Sequence, residues 1–143
     1  MRMKKLKTSL WILLAIVCIA ILILPVILNK ETKVLNPENR KEAPGEFINL
    51  TNGITHYEEF GHDTAQTVLL VSGFSVPYYI WDRTFEVLKE NGFHVLRFDF
   101  FGRGYSDRPD VVYNSELFTQ QIADLLISLN IDKPIDIIGL SMG

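Results

Sequence analysis

The end of the chain carries the residue pattern with the clearest chemical meaning, a glycine, a serine and a glycine at alternate positions 139, 141 and 143. A mostly apolar run at residues 135–138 precedes it and predicts a buried strand. To present a serine hydroxyl above the end of a strand, the backbone must turn sharply toward a helix. Side chains two positions before and after the serine would collide in that turn. Gly139 and Gly143 therefore predict a nucleophilic Ser141, and a plain loop between strand and helix is the alternative.

The segments before this pattern alternate between strand and helix signals. Two short strand-like runs flank Asn52-Gly53, a dipeptide typical of hairpin turns because both residues tolerate positive φ. Strand, helix, strand, helix and strand patterns follow at residues 67–71, 80–91, 94–98, 115–129 and 135–138. This order predicts an α/β fold with a mainly parallel sheet that is covered by helices on both faces.

The loops that follow the last three strands are expected to meet, because the carboxyl ends of parallel strands share one edge of the sheet. A serine that attacks a carbonyl needs hydrogen-bond donors for the oxyanion that develops. In a strand-to-helix elbow one donor is the backbone N–H of the next residue, here Met142. The second is expected from the loop at Gly73, with the Phe74 N–H as the favoured donor. Losing one such donor typically costs about 10²–10³ in turnover.

These features together resemble the α/β-hydrolase superfamily, in its branch of serine esterases, lipases and carbon–carbon hydrolases. The resemblance covers residues 46–143, roughly the first half of that fold. It rests on the serine pattern, on Ser72-Gly73-Phe74 where the family often has His-Gly, and on Asp99-Phe100-Phe101-Gly102-Arg103-Gly104-Tyr105-Ser106. The last run is similar to the family's Asp-x-Arg-Gly-x-Gly-x-Ser loop. The resemblance implies a full protein that cleaves carboxylic esters, or carbon–carbon bonds, through an acyl-serine and without a cofactor.

Two residues depart from the pattern of that family. Ser72 stands where the family usually has histidine, which alters the support of the glycine loop but leaves its backbone donors in place. Phe101 stands where arginine is common, so we expect an interaction that braces this loop to be absent. Asp99 and Asp107 are interpreted as residues that brace their own loop.

The catalytic acid and base of a serine hydrolase are not assigned to any residue of this chain. In the resembling family both follow the nucleophile, whereas His56, His62 and His94 all precede Ser141. We interpret the three histidines as surface or structural residues. A serine hydroxyl without a base is a weak nucleophile at neutral pH, so the chain alone is expected to be inactive. His62-Asp63 lacks the spacing of metal ligands, and no metal site is predicted.

A separate feature is the uncharged, strongly apolar run at residues 10–28. A helix over this run would be roughly 28 Å long, close to the ~30 Å thickness of the hydrocarbon core of a bilayer. The run is longer than the ~7–15 apolar residues of a signal peptide and has no small-residue cleavage site. We therefore favour an uncleaved transmembrane helix over a signal peptide. Basic residues before the run favour a cytoplasmic N-terminus and an extracytoplasmic hydrolase domain, although others follow it.

The chain thus divides into four segments: a cytoplasmic basic tail at residues 1–9, a membrane anchor at 10–28, a linker at 29–45 without secondary structure, and a truncated α/β-hydrolase domain at 46–143. Four of the 14 Lys and Arg residues precede the anchor, and all 17 acidic residues follow it. This balance excludes a basic surface for nucleic acid. The single cysteine, Cys18, lies in the apolar run and is interpreted as a packing or lipid-facing residue rather than a lipoprotein signal.

Aromatic residues crowd the loops of the predicted site and favour a small-molecule ester with an apolar acyl group, although packing is the more common role of such residues. They are Phe74, Tyr78, Tyr79, Trp81, Phe100 and Tyr105. The alternative from another class is a noncatalytic, membrane-tethered α/β-hydrolase-like domain that binds a ligand or a partner. An acidic residue and a histidine at the ends of later strands would favour the enzyme.

Overall fold

The computed structural model describes residues 2–28 and 35–143, with side chains from Trp11 onward in the first range. The chain divides into two units, one up to Val34 and one from Leu35. The first contains helix α1 (Arg2–Ile27), with Pro25 near its end. Over the residues that the structure describes, no helix is long and apolar enough to cross a membrane. The anchor predicted at residues 10–28 stays a prediction.

The second unit is built on a mixed sheet of five strands in the order β1-β2-β4-β3-β5. The strands are β1 (Glu46–Leu50), β2 (Gly53–Phe60), β3 (Thr67–Val71), β4 (His94–Phe98) and β5 (Asp136–Gly139). The helices are α2 (Pro37–Arg40), α3 (Asp82–Glu90), which follows a 3₁₀ turn at Tyr78–Trp81, and α4 (Ser115–Ser128). The predicted alternation of strands and helices is therefore present.

The sheet is less parallel than the sequence predicts. β3 pairs in parallel with β4 and β5, whereas β1 pairs antiparallel with β2, and β2 with β4. A parallel connection needs a crossover of about a dozen residues or more, usually with a helix. Only residues 61–66 separate β2 from β3, which is too short for a parallel crossover, so β2 runs antiparallel to β3. Because β4 is parallel to β3, β2 is also antiparallel to its sheet neighbour β4. The three strands that lead into the predicted site loops are the parallel ones.

Apolar cores lie on both faces of the sheet, because successive strand residues point to opposite sides. One core joins alternate residues of β3 and β4 to α4 and includes Leu69, Leu96, Phe98 and Leu125. The other joins the intervening residues to the 3₁₀ turn and α3 and includes Leu70, Val95, Trp81 and Phe85. All five residues of β3 are buried, as a continuous apolar run predicts for a central strand.

The last strand differs from the expectation of a buried strand at residues 135–138. All four residues of β5 are exposed, and Ile137 retains 59% of its accessible surface. The reason is its place in the sheet, since β5 lies at the edge of the described sheet, where its pairing partner is β3. An apolar composition alone does not distinguish a central strand from an edge strand.

The predicted linker is also more ordered than expected over its described part. Asn36 caps the short helix α2 by accepting a hydrogen bond from the Asn39 N–H (2.8 Å). Arg40 then forms an ion pair with Asp107 and lies over the Phe47 ring, 5.5 Å from its centroid. Asparagine followed by proline is a typical helix start, a signal that the polar composition of the segment obscures. Residues 35–45 therefore pack as part of the domain.

A buried glutamine connects α4 to the sheet and to the loop after β4. The Gln121 amide donates to the Thr55 hydroxyl (2.9 Å) and to the Asp99 carbonyl (3.1 Å). Its oxygen accepts from the Phe101 N–H (2.9 Å). The Gln121 side chain is fully buried and cannot bond to water. Its three hydrogen bonds to protein groups satisfy its amide instead.

Replacing Gln121 by leucine is expected to lower the free energy of unfolding by about 1–3 kcal/mol, because the Phe101 N–H becomes a buried donor without a partner. Urea denaturation followed by circular dichroism measures this change. Gln120→Leu is the matched control, since Gln120 is exposed at the preceding position of the same helix, and its effect should stay within about 0.5 kcal/mol. Equal stability of the two variants would contradict the proposed role of Gln121.

Candidate active site

The residues after β5 form a tight turn with the serine at its apex. Ser141 has a φ of 59°, in the left-handed region that non-glycine residues rarely occupy. The Leu140 N–H donates to the Val71 carbonyl (3.1 Å), and the Gly143 N–H donates to the Leu140 carbonyl (3.0 Å). Such a conformation costs about 1–3 kcal/mol and persists where the surroundings enforce it. Here the pairing with β3 on one side and the closed turn on the other enforce it.

The two glycines of the pattern are required by space. A Cβ atom added to Gly139 would overlap the carbonyl group of Gly143, and one added to Gly143 would overlap the carbonyl oxygen of Val71. Both neighbours are backbone atoms, which cannot move aside as a flexible side chain can. The overlap explains why the residues two positions before and after Ser141 are both glycine.

The loop after β3 lies directly against this serine. A Cβ atom added to Gly73 would lie 3.3 Å from the Ser141 Cβ and 3.9 Å from its hydroxyl oxygen. The structure thus brings Gly73 and Ser141 together, with Phe74 and Met142 as the next residue of each segment. The side chains of these two residues are exposed. Their roles as oxyanion donors stay a prediction.

The loop after β4 is held by the buried carboxylate of Asp99. Its two oxygens accept hydrogen bonds from the Tyr78 N–H (2.7 Å) and the Tyr105 N–H (3.0 Å). The same carboxylate is 2.8 Å from Nδ1 of His56. Gly104 must be glycine, because a Cβ atom there would overlap this carboxylate. Asp99 therefore braces the loop, as the sequence indicates.

Asp107 fixes the other end of the same loop to the hairpin. Its N–H donates to the Ile54 carbonyl (2.8 Å), and its carboxylate accepts from the Ile54 N–H (2.7 Å). The carboxylate also pairs with Arg40 from the segment before β1. These contacts make Asp107 a second brace rather than a free acid.

His56 and His94 are held by partners outside the serine turn at residues 139–143. His56 lies buried between Asp99 and the carbonyl of Pro44. His94 begins β4, at the opposite edge of the parallel strands from Ser141, and contacts the Thr67 hydroxyl (3.0 Å). His62 is exposed. The interpretation of the three as structural or surface residues agrees with these positions.

The side chain of Phe101 is buried and has no polar group that could brace a loop. A different residue of the same loop, Arg103, contacts the loop after β3. Its Nε donates to the Phe74 carbonyl, its guanidinium lies 4.6 Å from the centroid of the Phe74 ring, and its Nη1 donates to the Gly102 carbonyl (2.9 Å). No sequence signal links residues this far apart, so only the fold reveals the pair.

Ser72, at the position of the usual histidine, is buried, and its hydroxyl has no hydrogen-bond partner within residues 35–143 or the rest of the described chain. The backbone of the adjacent Gly73 still reaches Ser141, so the substitution leaves the approach of the loop intact. The support that a larger polar side chain would give at this position is missing.

A buried arginine that the sequence did not mark lies beside these loops. Arg97 in β4 pairs with Glu58 (2.6 Å) and with Asp82 (2.6 Å), and its guanidinium lies 4.3 Å from the ring centroids of both Tyr78 and Phe85. Burial, with a smaller contribution from the Glu58 carboxylate, raises the pKa of Tyr78 far above its ordinary value. The phenol of Tyr78 is therefore neutral at physiological pH.

The aromatic residues expected around the site are divided among different places. Trp81 and Phe100 belong to the cores on opposite faces of the sheet. A cavity of about 300 Å³ is lined by Pro44, His56, Pro77, Tyr78, Tyr79, Asp99, Gly104 and Tyr105. Ser141 is not among the lining residues, so this cavity does not identify the acyl pocket, and the apolar acyl group stays a prediction.

Comparison with known proteins agrees with this architecture. The sequence model described as the alpha/beta hydrolase family matches residues 68–143, which contain the last three strands, the glycine-rich loop and the serine turn. The chain belongs to the alpha/beta hydrolase family.

The similar proteins include hydrolases of several kinds. The chain is 31% identical over 96 residues to epoxide hydrolase A of Mycobacterium tuberculosis, an alignment that covers 65% of this chain and 30% of that protein. The enol-lactonase of Burkholderia xenovorans LB400 superposes with a TM-score of 0.63 at 26% identity, covering 68% and 37% of the two chains. A structure from a study of carboxylesterases of Nitrososphaera gargenis has a TM-score of 0.63 at 25% identity, covering 68% and 36%. The chain spans about a third of the length of these relatives.

Replacing Ser141 by glycine is expected to raise the free energy of unfolding by about 1 kcal/mol, because glycine adopts positive φ without the steric cost of a Cβ atom. Urea denaturation monitored by circular dichroism measures the difference. Ser141→Ala is the control, since it removes the hydroxyl but keeps the Cβ atom and its strain. If glycine and alanine give equal stability, the backbone at residue 141 is not strained.

Proposed function

We propose that this chain supplies the nucleophile of a serine hydrolase that cleaves carboxylic esters through an acyl-serine. The observation that carries the proposal is the left-handed turn at Ser141, packed against the backbone of Gly73. The turn leaves Ser141 exposed at the end of a parallel strand. It therefore presents the hydroxyl at the edge of the sheet where α/β proteins form their sites.

In the proposed reaction, the Ser141 oxygen attacks the ester carbonyl carbon while a base takes the hydroxyl proton. The carbonyl oxygen becomes an oxyanion, and the N–H groups of Phe74 and Met142 donate to it. Collapse of this intermediate breaks the carbon–oxygen bond, and the alcohol leaves with the proton. A water molecule then attacks the acyl-serine in the same way and releases the acid.

The base and its acid partner are not supplied by the histidines of this chain. His56 and His94 are occupied by buried partners, and the side chain of His94 lies at the far edge of the strands. We therefore propose that the activity belongs to a longer protein, in which a histidine and a carboxylate complete the site, and that residues 1–143 alone are inactive.

The choice of ester chemistry within the family follows from residue 141 itself. A serine forms an acyl-enzyme with a carbonyl substrate, whereas a carboxylate nucleophile, as in dehalogenases of the aspartate type, would open a different reaction. The lactonase and carboxylesterase among the similar structures carry names of ester hydrolases. Carbon–carbon bond cleavage is the second reaction that the same nucleophile supports. A small ester with an apolar acyl group is the substrate class we propose.

A noncatalytic binding domain is the second candidate function. The observation that favours it is that His56 is bonded to Asp99 and the Pro44 carbonyl, and His94 to Thr67, rather than to Ser141. Under this alternative the turn would keep its geometry, and the serine would show no reactivity toward an electrophile.

Labelling by a fluorophosphonate probe separates the two functions. We expect the longer protein to be labelled at Ser141 and to hydrolyse a chromogenic short-chain ester, with both signals lost in Ser141→Ala. Ser128→Ala is the matched control, because Ser128 is an exposed serine at the end of α4. Residues 1–143 alone should give turnover no higher than Ser141→Ala. An unlabelled longer protein would exclude the hydrolase, and ester turnover by residues 1–143 would show that the base lies within them.

The location of the protein is proposed from the sequence alone, with the N-terminus in the cytoplasm, a membrane association through the apolar run, and the α/β domain outside. Protease treatment of intact cells is expected to digest an epitope placed after the domain, while a cytoplasmic marker protein stays whole. If the epitope is cut only after the cells are lysed, the proposed orientation is wrong.

A further inference from the structure

The loops after β3 and β4 are joined by one side chain, that of Arg103. Its Nε donates to the Phe74 carbonyl, and the central carbon of its guanidinium lies over the Phe74 ring, 4.6 Å from the centroid. Arginine combines a hydrogen bond and stacking on an aromatic ring in this way because its charged group is planar and weakly hydrated. Phe74 is thus held at its carbonyl and at its side chain by the same residue.

This contact is not needed to shape the loop from which Arg103 projects. That loop is fixed at one end by Asp99, whose carboxylate accepts from the Tyr105 N–H and whose carbonyl accepts from the Ser106 hydroxyl (2.6 Å). At the other end, the Gly102 N–H donates to the carbonyl of Asp107 (2.8 Å). Arg103 therefore belongs to a loop that other contacts already hold, and its side chain binds Phe74 in the loop after β3.

The loop after β3 has weaker support of its own around Phe74. Ser72 offers a hydroxyl without a partner in the described part of the chain, and the Phe74 side chain is 62% exposed. Fixing the carbonyl and the ring of one residue restricts both of its backbone torsions. The direction of its N–H is restricted with them, because the N–H is bonded to the same Cα atom.

We propose that Arg103 is a positioning residue that holds the Phe74 N–H in the direction of the oxyanion formed at Ser141. The proposal rests on the proposed function of Ser141. It gives the loop after β3 a brace from position 103. Arg103 itself does not touch the reacting atoms and acts only through Phe74.

Amide hydrogen exchange of the 143-residue chain tests the bracing without any need for activity. Arg103→Ala is expected to increase exchange in a peptide covering residues 73–76 by roughly fivefold to tenfold, the usual range for losing a partly exposed charged hydrogen bond. Exchange in β3 and β4 should be unchanged. Arg103→Lys keeps a cationic donor and should restore part of the protection. Arg83→Ala is the matched control, because Arg83 is exposed on α3.

Kinetics of the longer protein test the catalytic consequence. Arg103→Ala is expected to lower kcat about tenfold with KM within about twofold, because a misdirected donor weakens the transition state more than the bound substrate. Arg103→Lys should recover most of kcat. Rates are counted per site labelled by the fluorophosphonate probe, so that a loss of folded protein does not imitate the effect.

The outcomes separate this inference from the proposed function. Unchanged exchange at residues 73–76 in Arg103→Ala overturns the bracing, whatever the activity. Increased exchange with unchanged kcat per labelled site overturns the positioning role. Increased exchange in Arg103→Ala, together with a wild-type protein that neither reacts with the probe nor turns over ester, would retain the brace but reject the hydrolase.

Discussion

The carboxylate of Asp99 is the group through which the loops of the domain are assembled. It lies at the end of β4 and is bonded to the start of the 3₁₀ turn, to the glycine-rich loop and to the hairpin strand β2. A buried carboxylate is costly unless its oxygens are satisfied, so these segments must all be in place before it can be buried. The loops at the carboxyl edge are consequently not independent of one another. Their relative placement is a property of the fold rather than of each loop.

The serine turn depends on a different kind of constraint, which is steric. The backbone of Val71 and that of residues 139–143 approach so closely that only glycine fits at two positions, and the strain falls on the residue between them. The neighbouring loop then comes close enough for Gly73 to contact the serine. These two constraints meet at Phe74. Arg103 connects Phe74 to the loop that Asp99 holds, and Phe74 directly follows Gly73, which contacts Ser141.

Local patterns in the sequence were sufficient for much of the fold and for the serine turn. The glycine spacing, the Asn52-Gly53 hairpin and the apolar periodicities each depend on residues close together in the chain, where steric rules apply directly. What the sequence could not show were pairings over long separations. The antiparallel placement of β2 and the contact of Arg103 with Phe74 each depend on which segments become neighbours. Polar composition also concealed the cap at Asn36, because a short capped helix and a flexible linker use the same residue types.

The ordered segment before β1 has a practical consequence for defining the domain. Composition places the boundary near residue 46, but the Arg40 guanidinium and the Pro44 carbonyl lie on the other side of that boundary. A recombinant fragment begun at residue 46 would expose the Phe47 ring and deprive the His56 ring of its Nε2 acceptor. A fragment begun at residue 35 retains both contacts, and it corresponds to the second compact unit of the chain. Residues 35–45 are therefore an ordered part of the folded domain, although their composition resembles that of a linker.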